Sequence, residues 1–339
     1  MSSGETMTFA RFMEFCLYDP QTGYYRRGAK VFGPRGDFYT SPYTHPLFAR
    51  ILGDALAGYL SRLDGDGPLD LIELGAGEGI LGKGVLDRLA NRHPGIFARV
   101  RYRGVEFGDA GLPDRIHGAV FSNELFDALP VHRVRVSQSE LKEIFVRLGE
   151  PVAEVEGELS DPRIPEYMRL GFPRWREGYV YEANLRMVEV LEDLDRRIHR
   201  GFVLTLDYGF EASEYEAMDR RDGTLLCYHR HRVHSDPYIN LGRQDLTSHV
   251  NFRVFRKTAA RLGWTNRPLR SQRRFLMKWG LEARLLEEER RGILRAERVE
   301  DRLGIKALLA PGGISDTLKV QVQAVRLPAA GGSFGASRI

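Results

Sequence analysis

The sequence predicts an α/β fold, a mostly parallel open sheet with an antiparallel and helical cap, on three observations. Leu69–Leu81 reads Leu-Asp-Leu-Ile-Glu-Leu-Gly-Ala-Gly-Glu-Gly-Ile-Leu, an apolar strand run that breaks into a glycine turn, with a helical stretch from Ile80 to Arg92 behind it. Further strand patterns at Val100–Phe107, Ala119–Ser122 and Gly201–Asp207 end on polar or acidic residues: Glu106, Asn123-Glu124 and Asp207. Helical patterns alternate with these strands, the arrangement that gathers ligands at the carboxyl edge of a parallel sheet.

Taken in order, Thr8 can cap a helix through Leu17 whose inner face is Phe9, Phe12, Met13, Cys16 and Leu17. Asp19–Gly23 is a turn leading to Tyr24 and Tyr25, which are read as packing or lid residues together with Trp175. Gly33–Asp37 is a second turn, and an amphipathic helix follows from Thr44 to Arg62. Val131–Val136, Glu140–Leu148 and Val152–Leu159 read as short antiparallel strands. Pro162–Gly178, rich in Pro, Arg and aromatics, reads as a loop or lid, and Glu182–Ile198 as an amphipathic helix. Thr224–Tyr228 is a strand, Asn251–Leu262 and Arg273–Arg298 are mostly helical with a break near Gly280, and Thr317–Val325 is a last strand. The corresponding division is an N-terminal helical segment (1–65) over the cofactor site and a core of 66–137, 200–228 and 315–327. A cap or substrate region (138–199 and 229–314) and a flexible tail (328–339) complete it.

The glycine turn carries the chemistry. Glu73-Leu74-Gly75-Ala76-Gly77-Glu78-Gly79 has Ile80 where a dinucleotide fingerprint needs its third glycine, and it lacks the Lys-Ser/Thr of a phosphate loop. A cofactor without phosphates fits better, one that lies against bare backbone while an acid receives a cation. S-adenosylmethionine (SAM), with an ammonium and a sulfonium, meets that description. Glu73 would then accept from the ammonium, and Glu106 from both ribose hydroxyls. The competing readings are a helix-capping carboxylate at Glu73 and a solvated acid at Glu106. Asn123 and Glu124 follow the strand where the methyl group would lie, and a carboxylate there can grip a guanidinium with two parallel hydrogen bonds. Asp127 would assist or cap the short helix, and Asp207 is a second candidate for the grip. His249 is a substrate contact, a proton acceptor or a loop-holding group. His229, His231 and His234 form H-x-H-x-x-H, but arginines interleave them and no further ligand is near, so a polar loop is expected and no metal.

The sequence resembles the MidA-like family of SAM-dependent methyltransferases, which includes the mitochondrial assembly factor of respiratory complex I. Tyr18-Asp19-Pro20 with Gly23-Tyr24-Tyr25, Gly36–Pro42, Glu73–Gly79, Asn123–His132 (Asn-Glu-Leu-Phe-Asp-Ala-Leu-Pro-Val-His), Asp207-Tyr208-Gly209 and Gly242–Phe252 carry the resemblance, in order, over nearly the whole chain. It implies a class I methyltransferase, Rossmann-like fold, SAM as cofactor with Gly36, Thr40, Ser41, Pro42, Glu73, Gly75, Ala76, Gly77, Glu106 and Asn123 around it, and Glu124, Asp127, Asp207 and His249 at the chemistry. For the mitochondrial member it implies methylation of a protein arginine. Two departures stand out. Tyr43 follows Thr-Ser-Pro where an acid is common, and only 11 residues, Gly108–Gly118, link two strands that the family separates by more. A bare loop without a further edge strand is expected there.

Bulk properties exclude little else. The chain has 339 residues, 42% hydrophobic and 28% charged, as an ordinary globular protein does. Of 50 Lys and Arg only seven are lysine, and the arginines are dispersed among acids rather than gathered in a stripe, which disfavours nucleic acid as partner. A protein side chain, with arginine favoured, is the expected substrate. A non-catalytic assembly or chaperone module on the same fold, and an RNA or small-molecule methyltransferase, are the alternatives. Homo-oligomers remain open, and no run approaches the length of a membrane span. Met1–Thr8 lacks a basic region and an apolar core, and two distant cysteines make no framework, so a cytoplasmic location is expected.

Overall fold

The computed structural model describes residues 4–26, 45–108, 111–217, 220–290, 304–305 and 308–327. They form two compact units: 1–39, 126–192 and 209–258 in one, and 40–125, 193–208 and 259–339 in the other.

The second unit is built on a mixed sheet. Its principal strands are β1 (Leu69–Leu74), β2 (Val100–Val105), β3 (Ile116–Asn123), β4 (Ile198–Phe210) and β5 (Leu318–Val325). They lie in the order β5-β4-β3-β1-β2, with β2 to β4 mutually parallel and β5 antiparallel to β4. The short strands Thr265–Asn266 and Arg270–Ser271 both pair antiparallel with β5. β2 pairs with β1 alone among the described residues. Helices Pro46–Leu60 and Ile80–Arg92 pack one face, where Leu47, Phe48, Ile51, Leu52, Val85 and Leu89 join Leu71, Phe121 and Leu204 in one core. Burial on this scale, about 25 cal/mol per Å² of apolar surface, is what holds the sheet's loop ends in place.

The first unit carries a five-stranded antiparallel sheet: Thr6–Thr8, Glu140–Arg147, His132–Ser137 and Val180–Ala183 in order, with Ala153–Gly157 beside Glu140–Arg147. Helix Phe9–Tyr18 buries the face expected of it, and the Thr8 hydroxyl caps it by accepting from the Arg11 N–H. The last two residues of β4, Gly209 and Phe210, pair parallel with Val250 and Asn251. Cys16 and Cys227 are free and buried.

Two sequence readings are corrected. Pro162–Gly178 is no open lid: Ile164–Gly171 is a helix with proline in its first turn, where no N–H is needed, and it buries Ile164, Tyr167 and Met168. Glu182 lies in strand Val180–Ala183, and the helix begins at Leu185 because the Asn184 side chain accepts from the Met187 N–H.

Candidate functional site

The carboxyl end of β1 forms the glycine turn. Gly75, Gly77 and Gly79 all take left-handed conformations, with φ of 68°, 54° and 71°, which a side chain disfavours. The Gly75 N–H donates to the Val105 carbonyl (2.8 Å) and the Gly79 N–H to that of Ala76 (2.9 Å), so the turn is tied to the end of β2. The Gly77 N–H donates to Oε1 of Glu106 at 2.5 Å, which brings the acids at the ends of β1 and β2 to one corner.

Glu73 is only 3% exposed, and the Tyr102 hydroxyl donates to its Oε2 at 2.5 Å. Burial raises its pKa to about 7. The Tyr102 hydrogen bond and the Gly82 N–H oppose the rise, and the charge of Glu106 adds to it. Glycine at 82 makes this contact possible, since a Cβ there would run into both the Tyr102 hydroxyl and the Glu73 carboxylate. Sequence reasoning missed Tyr102. Its signal was a helix-interior glycine at 82, which costs about 1 kcal/mol and so asks for a packing reason.

At the end of β3, Glu124 is a non-glycine residue at φ 52°. Its N–H donates to the Leu206 carbonyl (2.9 Å), and its Oε1 accepts from the Asn123 amide (2.9 Å). Asn123 Oδ1 is buried without a protein hydrogen-bond partner. Asp207 has a different situation. It is fully buried, its Oδ2 accepts from the Leu125 N–H (3.1 Å) and its Oδ1 from its neighbour Tyr208 (2.9 Å). Leu125, also unforeseen, in turn packs at Gly75, where a Cβ would meet its Cδ1 at 3.0 Å. Glu73, Gly75, Ala76, Gly77, Glu106, Asn123, Glu124 and Asp207 thus belong to one unit.

Asp127 and His249 belong to the other. Asp127 is buried in the 3-10 turn Phe126–Ala128, and its carbonyl accepts from the Ser248 N–H at 2.8 Å, which ties Asn123–His132 to Gly242–Phe252. The His249 N–H donates to the Thr224 hydroxyl (3.0 Å). Burial lowers the pKa of its ring to about 4, with the charge of Arg220 adding, so it is neutral at pH 7 and a weak base. Asp245, in the same segment, accepts from the Tyr25 hydroxyl (2.8 Å). His229, His231 and His234 fall on a hairpin rather than a loop, strands Leu226–His229 and Arg232–His234, and no group of residues suited to a metal occurs among the described residues. Gly36, Thr40, Ser41 and Pro42 lie outside the described residues.

The corner has what a phosphate-free cationic cofactor requires: a glycine-rich turn, a buried carboxylate that a cation would ionise, a second carboxylate beside it, and an orphaned amide oxygen. Comparison with known proteins agrees. Residues 109–268 match the family model described as S-adenosyl-L-methionine-dependent methyltransferase. The crystal structure of a Burkholderia thailandensis protein bound to S-adenosyl-homocysteine is 29% identical, with a TM-score of 0.80 over 95% of this chain and 88% of that one. Among curated proteins, the chain is 26% identical to the Drosophila melanogaster protein arginine methyltransferase NDUFAF7 homolog, over 75% of this chain and 67% of that protein. It is 27% identical to the Caenorhabditis elegans counterpart, over 82% and 74%. These relatives are mitochondrial proteins, as is the human one, which overturns the expectation of a cytoplasmic location. By its motifs, its matching family model and its structural neighbour, the chain is similar to the MidA-like family of methyltransferases, and its cofactor is S-adenosylmethionine.

Proposed function

We propose that this methyltransferase acts on a protein side chain, with arginine the favoured acceptor, from a Rossmann-like core formed by the unit that carries the parallel strands. The observation that carries the reading is Glu124, a carboxylate on a strained left-handed corner at the end of β3, beside the turn that Leu125 packs against. Such a conformation costs of order 1 kcal/mol or more and persists where a side chain must be aimed. The names of the curated relatives, protein arginine methyltransferases, support the same acceptor.

Bound SAM supplies a methyl group already attached to a cationic sulfur, so positioning contributes more than acid–base chemistry. Glu73 and Glu106 bind its cationic and hydroxyl ends. Glu124 would grip the guanidinium through Nε and one Nη and hold positive charge there, leaving a lone pair on the other Nη. The bond from that nitrogen to the methyl carbon would replace the carbon–sulfur bond, the sulfur keeping the electron pair, and the proton of the methylated nitrogen would pass to solvent water. Asn123 fixes the Glu124 carboxylate through their 2.9 Å hydrogen bond.

Glu124→Gln keeps size and most hydrogen bonding but loses the charge. Affinity for S-adenosylhomocysteine should be unchanged, while single-turnover methylation falls by about 10²-fold, the loss of a transition-state contact of roughly 3 kcal/mol. A fully active Glu124→Gln protein would remove this residue from the mechanism. Label transferred from SAM into the RNA or metabolite fraction of a lysate, rather than into protein, would overturn the acceptor class. Absence of label from every fraction would favour a non-catalytic assembly role.

A further inference from the structure

The histidine-bearing hairpin of the unit that holds Asp127 takes no part in the chemistry above, and its turn is unusual. Strands Leu226–His229 and Arg232–His234 pair antiparallel, with His229 opposite Arg232, Tyr228 opposite Val233 and Cys227 opposite His234. Only Arg230 and His231 join them, at φ of 49° and 60°. Positive φ at both central residues is the mark of a type I′ turn, which Asn-Gly ordinarily fills. An Arg-His pair there is strained, and backbone strain of this kind gathers at ligand clamps and switch regions.

Strand Arg232–His234 is also an edge. Among the described residues it pairs with Leu226–His229 alone, whose other side is taken by Asp245–Thr247. In a two-residue hairpin the residues flanking the turn exchange hydrogen bonds. Val233, one residue beyond Arg232, therefore turns its N–H and C=O away from its partner strand. Val233 is 56% exposed, and Ile239 (47%) and Leu241 (37%) are exposed on the connection that leads to Asp245–Thr247. That connection is held in place. The Tyr238 hydroxyl donates to Glu154 (2.7 Å), its ring packs on Phe12 with centroids 5.5 Å apart, and the Arg243 N–H donates to the Asn240 carbonyl (2.7 Å). In the sequence from Leu226 to Ser235 there are two arginines and three histidines and no acid.

We infer that the Arg232–His234 edge is a docking strand for a partner protein, which adds to this sheet an extended segment bearing acidic side chains. The Val233 N–H and C=O bond the incoming backbone, acidic side chains meet the arginines of the hairpin, and apolar ones meet Val233. A second copy of this chain is a poor occupant, because its own edge brings the same positive charge and like charges across a strand pair repel. The fixed turn and connection spare the partner the cost of ordering them.

The probe is a short fluorescein-labelled peptide of alternating glutamate and valine, followed by anisotropy against the full chain. Two control peptides share its length, one N-methylated on every backbone nitrogen and one with lysine in place of glutamate. The parent peptide should bind saturably, less tightly as salt rises, and each control should bind about tenfold or more weakly. Val233→Pro removes the outward N–H and leaves the hairpin's own ladder alone, at a place where edge strands accept proline. It should weaken the parent peptide about tenfold, while Val233→Thr keeps the affinity. Arg232→Glu should weaken the glutamate peptide and strengthen the lysine one. Melting temperature and S-adenosylhomocysteine affinity should stay at the parent values in each variant, and the N-methylated peptide makes the same test without altering the protein. Absence of saturable binding by the parent peptide, equal affinity for the N-methylated one, or unchanged binding in Arg232→Glu would overturn the inference. So would binding of single-stranded RNA or phosphatidylserine vesicles in place of the peptide, which would make the hairpin a general anion surface.

Discussion

The carboxyl ends of β1 and β4 each bury an acid, and the two acids have opposite fates. Asp207, on β4, has both oxygens engaged by backbone N–H groups, from Leu125 and Tyr208. It holds the loop that displays Glu124. Glu73, on β1, receives one side-chain hydroxyl and one backbone N–H and sits beside a second carboxylate, so its proton is held up to about neutral pH. On the proposed reading the number and kind of donors set the two apart: the saturated carboxylate serves as scaffold, and the under-supplied one is poised for a cation. The position at a strand end is common to both.

The strongest way to break the β1 corner is Gly77→Val. A β-branched residue at φ 54° is strained and misaligns the N–H that Glu106 accepts. S-adenosylhomocysteine affinity should fall by about 10³-fold or more, beyond roughly 4 kcal/mol, by calorimetry. Binding within tenfold of the parent would show that the turn does not contact the cofactor.

Asp207→Ala tests the other corner. It strands two backbone donors in a fully buried site and should cost about 3 kcal/mol of stability in urea unfolding. Loss of activity in proportion to the folded fraction is expected. A stable but inactive variant would instead place Asp207 in the chemistry.

Glu73→Gln sharpens the comparison through pH. The folded-state pKa lies above the usual carboxylate value, so the stability this group contributes is complete in acid and is lost as pH rises towards and through about 7. Between pH 5 and pH 8 the parent should lose up to about 3 kcal/mol that the glutamine variant keeps. At pH 8 the variant should bind S-adenosylhomocysteine at least about tenfold more weakly, for want of the charge. Identical pH dependence in both proteins would contradict a strained Glu73. The smallest effect belongs to Tyr102→Phe, which removes one donor to that carboxylate. About 1 kcal/mol of affinity should go, with the pH midpoint of binding moved upward.

Much of this site could be read from the chain because its signals are local. Helix Phe9–Tyr18 declared its face by spacing and its start by Thr8, and the spacing from Glu73 to Gly79 fixed a strand, a turn and a helix in sequence. Segment Ile164–Gly171 was misread although Ile164, Tyr167 and Met168 lie at helical spacing, because the prolines around it were weighed as breakers when one serves a first turn. The Tyr102–Glu73 and Leu125–Asp207 contacts are 29 and 82 residues apart in the chain, and the strand register that brings them together is not encoded at either position alone.

The raised pKa of Glu73 also changes what a binding experiment counts. On the proposed placement, an arriving ammonium stabilises the ionised carboxylate, so near pH 7 association must expel up to about half a proton per site into the buffer. The apparent heat of cofactor binding then depends on the buffer itself. Titrations in Tris, which absorbs that proton with a large enthalpy, and in phosphate, which absorbs it with little, should differ by an amount that vanishes in Glu73→Gln. This buffer-dependent heat, absent from the glutamine variant, would be a calorimetric fingerprint of the β1 corner.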